Sequence, residues 1–87
     1  MSDSTWHVYL LRCSDGSLYT GVTTDLQRRL HEHNHSPRGA RYTRSRRPVE
    51  LVYHEHANDR SSAQRREYQL RRLSSQAKQR FCAQNTT

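Results

Sequence analysis

Hydrophobic and polar positions along the chain divide into short β-type runs and longer amphipathic stretches. Residues 6–12 and 17–22 are apolar, β-rich runs, and the sequence SDGS between them predicts a β-hairpin. Residues 48–56 form a third run of this kind, and its opening Pro48 is typical of a strand start or a sheet edge. The pattern therefore predicts three strands, of which the first two are joined as a hairpin.

The amphipathic stretches predict helices over residues 23–34, 60–73 and 74–84. In the first helix, Leu26 and Leu30 mark the buried side, and Thr24 or Asp25 can accept hydrogen bonds from first-turn amides. Residues 35–47, between this helix and the third strand, are predicted as a loop. The element order is therefore β-β-α-β-α-α.

A chain of 87 residues is long enough for one domain with a modest core. We expect this single domain to span residues 6–82. Residues 1–5 are predicted to be disordered, and residues 83–87 are predicted to form a frayed tail.

The two hairpin strands each carry a tyrosine, Tyr9 and Tyr19, and the loop length decides whether these share a face. A two-residue loop over residues 15–16 places them on opposite faces. A three-residue loop over residues 14–16, with Gly16 in the left-handed conformation, places them on one face. Both loops are common, so the turn sequence alone leaves the choice open.

The chain has a formal net charge of +7, and its sequence pI is about 10.3. Such an excess indicates a polyanionic partner, nucleic acid before membrane; a merely soluble basic protein is the alternative. The predicted loop carries five arginines and Tyr42 within residues 38–47, a pattern typical of phosphate contact and base stacking, with a solvated surface loop as the alternative. The residues predicted to contact nucleic acid are Arg28, Arg38, Arg41, Tyr42, Arg44, Arg46, Arg47 and Lys78.

Glu67 lies on the same predicted helix face as the core-type residues Ala63 and Leu70. A carboxylate on the core side is costly unless it is paired or holds a metal ion. Two interpretations stay open. Glu67 can turn outward and pair with Arg66 or Arg71, or it can face a cleft and hold a hard divalent cation such as Mg²⁺.

Other cofactor classes find little support in the sequence. No Gly-rich phosphate loop is present, so no nucleotide cofactor is expected. His54 and His56 would share one strand face, but two ligands are too few for zinc, and the two cysteines fit no zinc-finger spacing. No signal peptide or membrane-length apolar run is visible, so we expect a cytoplasmic protein without a membrane partner.

Two tripeptides on the hairpin strands carry a resemblance to a known family. Residues 7–9 read His-Val-Tyr and residues 19–21 read Tyr-Thr-Gly, and both resemble the paired motifs of GIY-YIG nuclease domains, specifically the small single-domain bacterial YhbQ-like group. The family's functional arginine falls on Arg29, the ring residue one turn later on His33, and the metal-binding glutamate on Glu67. The resemblance covers residues 6 to about 82, nearly the whole chain.

The chain departs from this family at three points. His7 replaces the glycine of the first motif, and Thr20 replaces an aliphatic residue in the second. Many members also have a late asparagine in the active site, for which the chain offers no counterpart. These differences concern rate and substrate more than fold.

The resemblance implies an α+β fold with a small three-stranded antiparallel sheet flanked by helices. It also implies a metal-dependent endonuclease that hydrolyses phosphodiester bonds in DNA with Mg²⁺ or Mn²⁺, in repair or in the processing of branched or damaged DNA. The alternative is a non-catalytic nucleic-acid-binding module that retains the fold. A protein partner stays open.

The resemblance also assigns roles to individual residues. Tyr9 would position or deprotonate the attacking water, with Tyr19 as its partner and His33 as the competing proton acceptor. Arg29 would clamp the phosphate, and its charge, with that of the metal, would favour the phenolate of Tyr9. Both phenols must then reach one cleft, which predicts the three-residue loop. The implied catalytic residues are Tyr9, Tyr19, Arg29, His33 and Glu67, with Glu67 as the metal ligand.

Overall fold

The computed structural model describes residues 5–85, which form a three-stranded antiparallel sheet and four helices. In chain order the elements are β1 (Trp6–Arg12), β2 (Leu18–Thr23), α1 (Leu26–His35), α2 (Arg41–Arg44), β3 (Glu50–Ala57), α3 (Arg60–Arg71) and α4 (Ser75–Asn85). The α+β class and the order β-β-α-β-α-α are confirmed, and α2 is an addition to that order. No helix within residues 5–85 is long and apolar enough to cross a membrane.

The segment 35–47, predicted as a loop, contains the one-turn helix α2. The carbonyl oxygen of Ala40 accepts hydrogen bonds from the amides of Thr43 and Arg44, both at 3.1 Å. Thr43 is completely buried. The loop prediction was wrong here because the inward-facing residue of this turn is polar, so no apolar periodicity marks it.

Element boundaries differ from the predicted ones by a few residues. Asp25 is extended and accepts a hydrogen bond from the Arg28 amide at 3.1 Å, so α1 begins after it and Thr23 stays in β2. At the other end of the chain, α4 ends at Asn85, one residue beyond the predicted helix end and within the segment predicted as the tail. The disorder predicted for residues 1–4 and the fraying predicted for residues 86–87 fall outside the described residues.

The hairpin between β1 and β2 has the three-residue loop. The Cys13 amide donates to the Ser17 carbonyl oxygen at 2.8 Å, and the Gly16 amide donates back to the Cys13 carbonyl oxygen at 2.9 Å. Gly16 has a φ of 86°, a left-handed conformation that glycine adopts without steric cost. As a result Leu11 pairs with Tyr19, and both tyrosines lie on the same face of the sheet.

Strand β1 lies in the centre of the sheet, in the order β2-β1-β3, so it has a hydrogen-bonded strand along each edge. One face, which carries Tyr9 and Leu11, packs against Leu26 and Leu30 of α1. The opposite face, which carries Val8, packs against α3 and α4. Helix α1 therefore lies over the tyrosine face, whereas Glu67 of α3 belongs to the other side of the sheet.

Candidate active site

A cleft of about 400 Å³ opens along the free edge of β2, where the two sides of the sheet meet. Tyr19 and Tyr42 reach it from the α1 side, and α3 and α4 contribute charged side chains from the opposite side. We call this the edge cleft. The lining residues that matter below are Tyr19, Thr20, Tyr42, Glu67, Arg71 and Lys78.

Tyr9 lies behind Tyr19 and is only 2% exposed. Its phenol passes over Gly21, the residue opposite it on β2. A Cβ atom on Gly21 would lie 2.6 Å from Cζ of Tyr9 and closer still to the phenol oxygen. The second motif therefore needs a glycine at position 21 because a side chain there would collide with the Tyr9 phenol. A left-handed backbone conformation is not the reason.

A chain of hydrogen bonds leads from Tyr9 into the protein. The Tyr9 hydroxyl is 2.9 Å from Nε2 of His33, and Nδ1 of His33 is 2.8 Å from Oγ1 of Thr43. The Thr43 hydroxyl donates its proton to the Ala40 carbonyl oxygen at 2.9 Å, so it must accept from Nδ1–H. His33 then has a bare Nε2, which accepts a hydrogen bond from the Tyr9 hydroxyl.

The amide of Ala40 also approaches Nδ1 of His33, at 3.4 Å. That contact would require the opposite tautomer, and it would leave the Thr43 hydroxyl oxygen facing the Ala40 carbonyl without a proton between them. We assign the tautomer with the proton on Nδ1, because it satisfies the two shorter contacts.

Burial, reinforced by the neighbouring Tyr19, raises the pKa of Tyr9 to about 12 despite the attraction of Arg29. The pKa of Tyr19 is raised as well, chiefly by burial. Burial and the positive charge of Arg29 lower the pKa of His33 to about 4. Arg29 does lower the pKa of Tyr9, as expected, but desolvation outweighs this attraction in the protein alone. His33 is neutral at pH 7.

Arg29, on α1, is held in place close to the hydrogen bonds of Tyr9 and His33. Its Nη1 donates to Oε1 of Glu32 and to the carbonyl oxygen of Arg38, both at 2.9 Å. The side chain is 27% exposed, so the guanidinium is fixed at one end and still accessible. A guanidinium anchored in this way can present its remaining N–H groups to a phosphate oxygen.

Glu67 reaches the edge cleft from α3, and its nearest charged partner is Arg71, at 3.9 Å. Arg66, the other partner considered, instead pairs with Glu55 at 2.9 Å. Within residues 5–85 no hydrogen bond to the Glu67 carboxylate is recorded, so its ion pair is long and weak. The carboxylate faces the cleft rather than turning away from it.

The donor set around Glu67 fits a magnesium-type ion. Mg²⁺ usually binds through one or two carboxylates, and waters and substrate phosphates complete its shell. Glu67 supplies one such carboxylate; the Oγ1 atom of Thr20, on the same cleft, is buried out of contact with water, so it adds no ligand. No group of three His, Cys, Asp or Glu side chains in residues 5–85 is arranged to hold a metal ion by itself.

The residues predicted to bind nucleic acid divide into two groups. Arg47 donates to the carbonyl oxygens of Glu32, His33 and Ser36 at the end of α1, at 2.6–3.3 Å. Arg46 binds Asp15 at 3.0 Å. Both arginines therefore have partners within the protein: those of Arg47 are half-buried carbonyl oxygens, and the Arg46 ion pair is exposed.

The other members of the predicted set point outward or into the cleft. Four arginines of this set are exposed: Arg28, Arg38, Arg41 and Arg44. Lys78 lines the edge cleft. The Arg46 guanidinium lies 3.9 Å from the Tyr42 ring centroid, and Tyr19 stacks on the same ring at 6.1 Å, so protein already covers part of Tyr42.

Sequence reasoning missed two residues of the site. Arg71 was considered only as a pairing partner of Glu67, and it also lines the edge cleft. Thr43 completes the hydrogen-bond chain of His33, and no local pattern pointed to it. The structure brings together Tyr9, Tyr19, Arg29 and His33 on the α1 side, and it places Glu67 across the edge of β2.

Comparison with known proteins identifies the family of this chain. The model of the GIY-YIG catalytic domain matches residues 5–80. A UPF0213 protein of Desulfotalea psychrophila is 61% identical over 69 residues, which is 79% of this chain and 63% of that relative, so less than two thirds of the relative is matched. A UPF0213 protein of Cupriavidus necator is 47% identical over 95% of this chain and 89% of its own length. The solution structure of a UPF0213 protein from Bacillus halodurans superposes with a TM-score of 0.60 at 40% identity, covering 94% of this chain and 86% of that one.

Proposed function

We propose, from the premise that this chain belongs to the GIY-YIG family of catalytic domains, that it is a metal-dependent endonuclease which hydrolyses phosphodiester bonds in DNA. Repair or processing of branched or damaged DNA, in the cytoplasm of a bacterium, is part of the proposal. The observation that carries it is the hydrogen-bond chain Tyr9–His33–Thr43 beside the edge cleft. A buried tyrosine that donates to a histidine with a fixed tautomer is an arrangement suited to proton transfer.

The exposed arginines would attract the DNA backbone, and Arg29 would hold the reacting phosphate. Phosphate contacts by arginine are strong and bidentate, and they lower the cost of the charge that develops on phosphorus. Lys78 and Arg71, on the opposite wall of the cleft, add positive charge where the strand would pass. Binding should therefore weaken steeply with added salt, because each phosphate contact releases counterions.

Tyr9 and His33 would act on the attacking water in sequence. The Tyr9 oxygen accepts a proton from the water as its own proton moves to Nε2 of His33. Thr43 holds the imidazole in the orientation that keeps Nε2 free. Tyr19 lines the cleft and packs against both rings, with centroid distances of 6.5 Å to Tyr9 and 5.2 Å to His33.

Glu67 would hold the divalent ion, and waters and the substrate phosphate would complete its shell. Bound there, Mg²⁺ or Mn²⁺ would supply Lewis-acid stabilisation of the charge on the phosphate and the leaving oxygen. Arg71 is close enough to Glu67 to compete for the same carboxylate, at 3.9 Å. The long ion pair leaves that carboxylate available for a metal.

A non-catalytic nucleic-acid-binding module is the second candidate, and one observation favours it. Tyr9 is 2% exposed, and its pKa is raised to about 12, so the phenol is a weak base in the free protein. On this alternative the charged surface would bind DNA, and the tyrosine face would be a packing core. Cleavage assays separate the two.

The decisive experiment compares wild type, Glu67→Gln and Glu50→Gln on labelled duplex, forked and single-stranded DNA and on RNA, with Mg²⁺, Mn²⁺ or EDTA. Glu50 is an exposed carboxylate at the start of β3 and serves as the matched control. Wild type and Glu50→Gln should cut DNA with Mg²⁺, and Glu67→Gln should be slower by about 10²-fold or more while it still binds. Binding without cutting by wild type under every condition would leave the binding module as the function.

A further inference from the structure

Three histidines come together on the α1 side of the sheet, at the end of β1 remote from the hairpin. His7 pairs directly with His56 across β1 and β3, and His54 precedes His56 by two residues on the same face. Side chains directly opposite one another, and those on the adjacent diagonal, are within reach across an antiparallel pair. The sheet order, which places β3 beside β1, creates this cluster from residues about 50 positions apart in the chain.

We propose that His7, His54 and His56 form a zinc-binding site, separate from the magnesium-type ion assigned to Glu67. Two imidazoles on one tetrahedral zinc ion, with Zn–N bonds of about 2.0–2.1 Å, have ring centroids about 5 Å apart. The His7–His56 centroids are 4.9 Å apart, and the His7–His54 centroids are 6.1 Å apart. The spacing is therefore at or close to that of shared ligands.

A second observation points to a ligand at this place. The Nδ1 atom of His7 is buried, and within residues 5–85 it has no hydrogen-bond partner. A buried polar nitrogen without a partner costs free energy that a bound ion can offset. His7 thus supplies a half-buried ligand whose ring faces two further imidazoles.

The rings are not yet arranged around a common point. His7 meets the rings of His54 and His56 edge-on, at 73° and 87°, and residues 5–85 contain no ready-made set of three ligands. His54 and His56 are exposed and make no recorded hydrogen bond in the described part of the chain. Rotation of these two side chains about χ1 and χ2 is the change that zinc binding requires.

The ligand chemistry favours zinc over magnesium or calcium. Imidazole nitrogen suits zinc, copper and nickel, whereas carboxylate and carbonyl oxygens suit magnesium and calcium. Three protein nitrogens leave a fourth tetrahedral position for water, a pattern common in zinc sites. Because His54 is the direct neighbour of Tyr9 on β3, bound zinc would tie the edge strand to β1 beside the proposed proton-transfer pair.

A rival pair on α1 provides the control. His31 and His35 are four residues apart, exposed, and have ring centroids 4.9 Å apart, so they can chelate a metal with two nitrogens. Two ligands hold zinc less firmly than three. Variants of this pair therefore distinguish adventitious binding on the helix from binding on the sheet.

The test titrates Zn²⁺ by calorimetry into metal-free chain without a histidine tag. It uses wild type, His7→Gln, the double variant His54→Gln/His56→Gln and the control His31→Gln/His35→Gln, each checked for folding by circular dichroism. Wild type and the control should bind one zinc ion per chain with micromolar or tighter affinity. His7→Gln should bind at least about tenfold more weakly, and the double variant should lose the site. Substitution of the exposed His54 and His56 preserves the core, so this variant keeps the test valid if His7→Gln unfolds.

Two outcomes would overturn the proposal. One is a wild type that binds no zinc at concentrations of tens of micromolar. The other is zinc binding that disappears in the His31→Gln/His35→Gln variant but persists in His54→Gln/His56→Gln. Glu67→Gln should bind zinc as wild type does, so failure of the nuclease proposal and failure of this one are separable.

Discussion

Acid should destabilise this protein through His33 more than through any of its exposed histidines on α1. His33 is completely buried and neutral, and its pKa lies near 4 in the folded chain compared with an ordinary value of 6.5. As the pH falls below 6.5, the unfolded chain takes up a proton at this residue and the folded chain does not. Stability is therefore lost from pH 6.5 downward, until the folded protein is also protonated near pH 4.

The magnitude follows from proton linkage. With pKa values of about 4 folded and 6.5 unfolded, His33 lowers the free energy of unfolding by about 2 kcal/mol between pH 7 and pH 5. That is a sizeable part of the stability of a domain of this size. The loss is specific to a histidine whose charged form the fold excludes.

Urea unfolding at pH 7 and pH 5 measures this loss for wild type, His33→Gln and His31→Gln. Wild type should lose about 2 kcal/mol more than His33→Gln over this interval, because the two proteins share every other titrating group. His31→Gln is the control for the loss of an exposed histidine on the same helix. The NMR titration of the His33 ring gives its midpoint directly. An equal pH dependence in wild type and His33→Gln, or a ring midpoint near 6.5, would refute a buried neutral His33.

Three further predictions concern single side chains. Gly21→Ala should lower the free energy of unfolding by about 1–3 kcal/mol in urea unfolding, because its methyl group overlaps the Tyr9 phenol; wild-type stability would show that Tyr9 can move aside. Arg47→Ala should lower the free energy of unfolding by about 1.5–3 kcal/mol in the same assay, because its hydrogen bonds to the α1 carbonyl oxygens are lost. The exposed Arg41→Ala should change that free energy by no more than about 0.5 kcal/mol, and it should reduce the slope of log affinity for DNA against log salt concentration by about 1. Tyr9→Phe should slow cleavage by about 10²–10⁴-fold and leave the DNA dissociation constant unchanged; full activity would transfer the role of base to His33.

The fold was predictable to the extent that local pattern decides it. The apolar runs and the Asp25 cap are local signals, and they placed the strands and α1 within a few residues. The hairpin register was not decided by the turn sequence. It followed from requiring Tyr9 and Tyr19 to lie on one face, and the pairing of Leu11 with Tyr19 confirms that register. A functional constraint therefore resolved a structural ambiguity.

What could not be predicted depends on contacts between distant parts of the chain. Arg46 and Arg47 look like any other arginines of a basic loop, yet one binds the hairpin turn and the other the end of α1. The histidine cluster needed the order of the strands, which no spacing between His7 and His54 reveals. The direction of the Tyr9 pKa shift needed its burial, since the positive charge of Arg29 by itself predicts the opposite direction.

The hydrogen bond between Tyr9 and His33 changes the question of which residue is the base. Considered separately, Tyr9 and His33 are alternative candidates for the general base. Because Thr43 fixes the His33 tautomer, the proposed proton would instead pass from water to Tyr9 while the Tyr9 proton passes to His33. In the free protein that proton stays on Tyr9, because burial keeps both side chains neutral. In the proposed reaction, the negative charge of a bound phosphate would stabilise the imidazolium, and a cation on Glu67 would stabilise the phenolate. Both changes favour proton transfer, so in the proposed reaction the pair is activated by substrate and metal together, and a water molecule in the free protein stays unreactive.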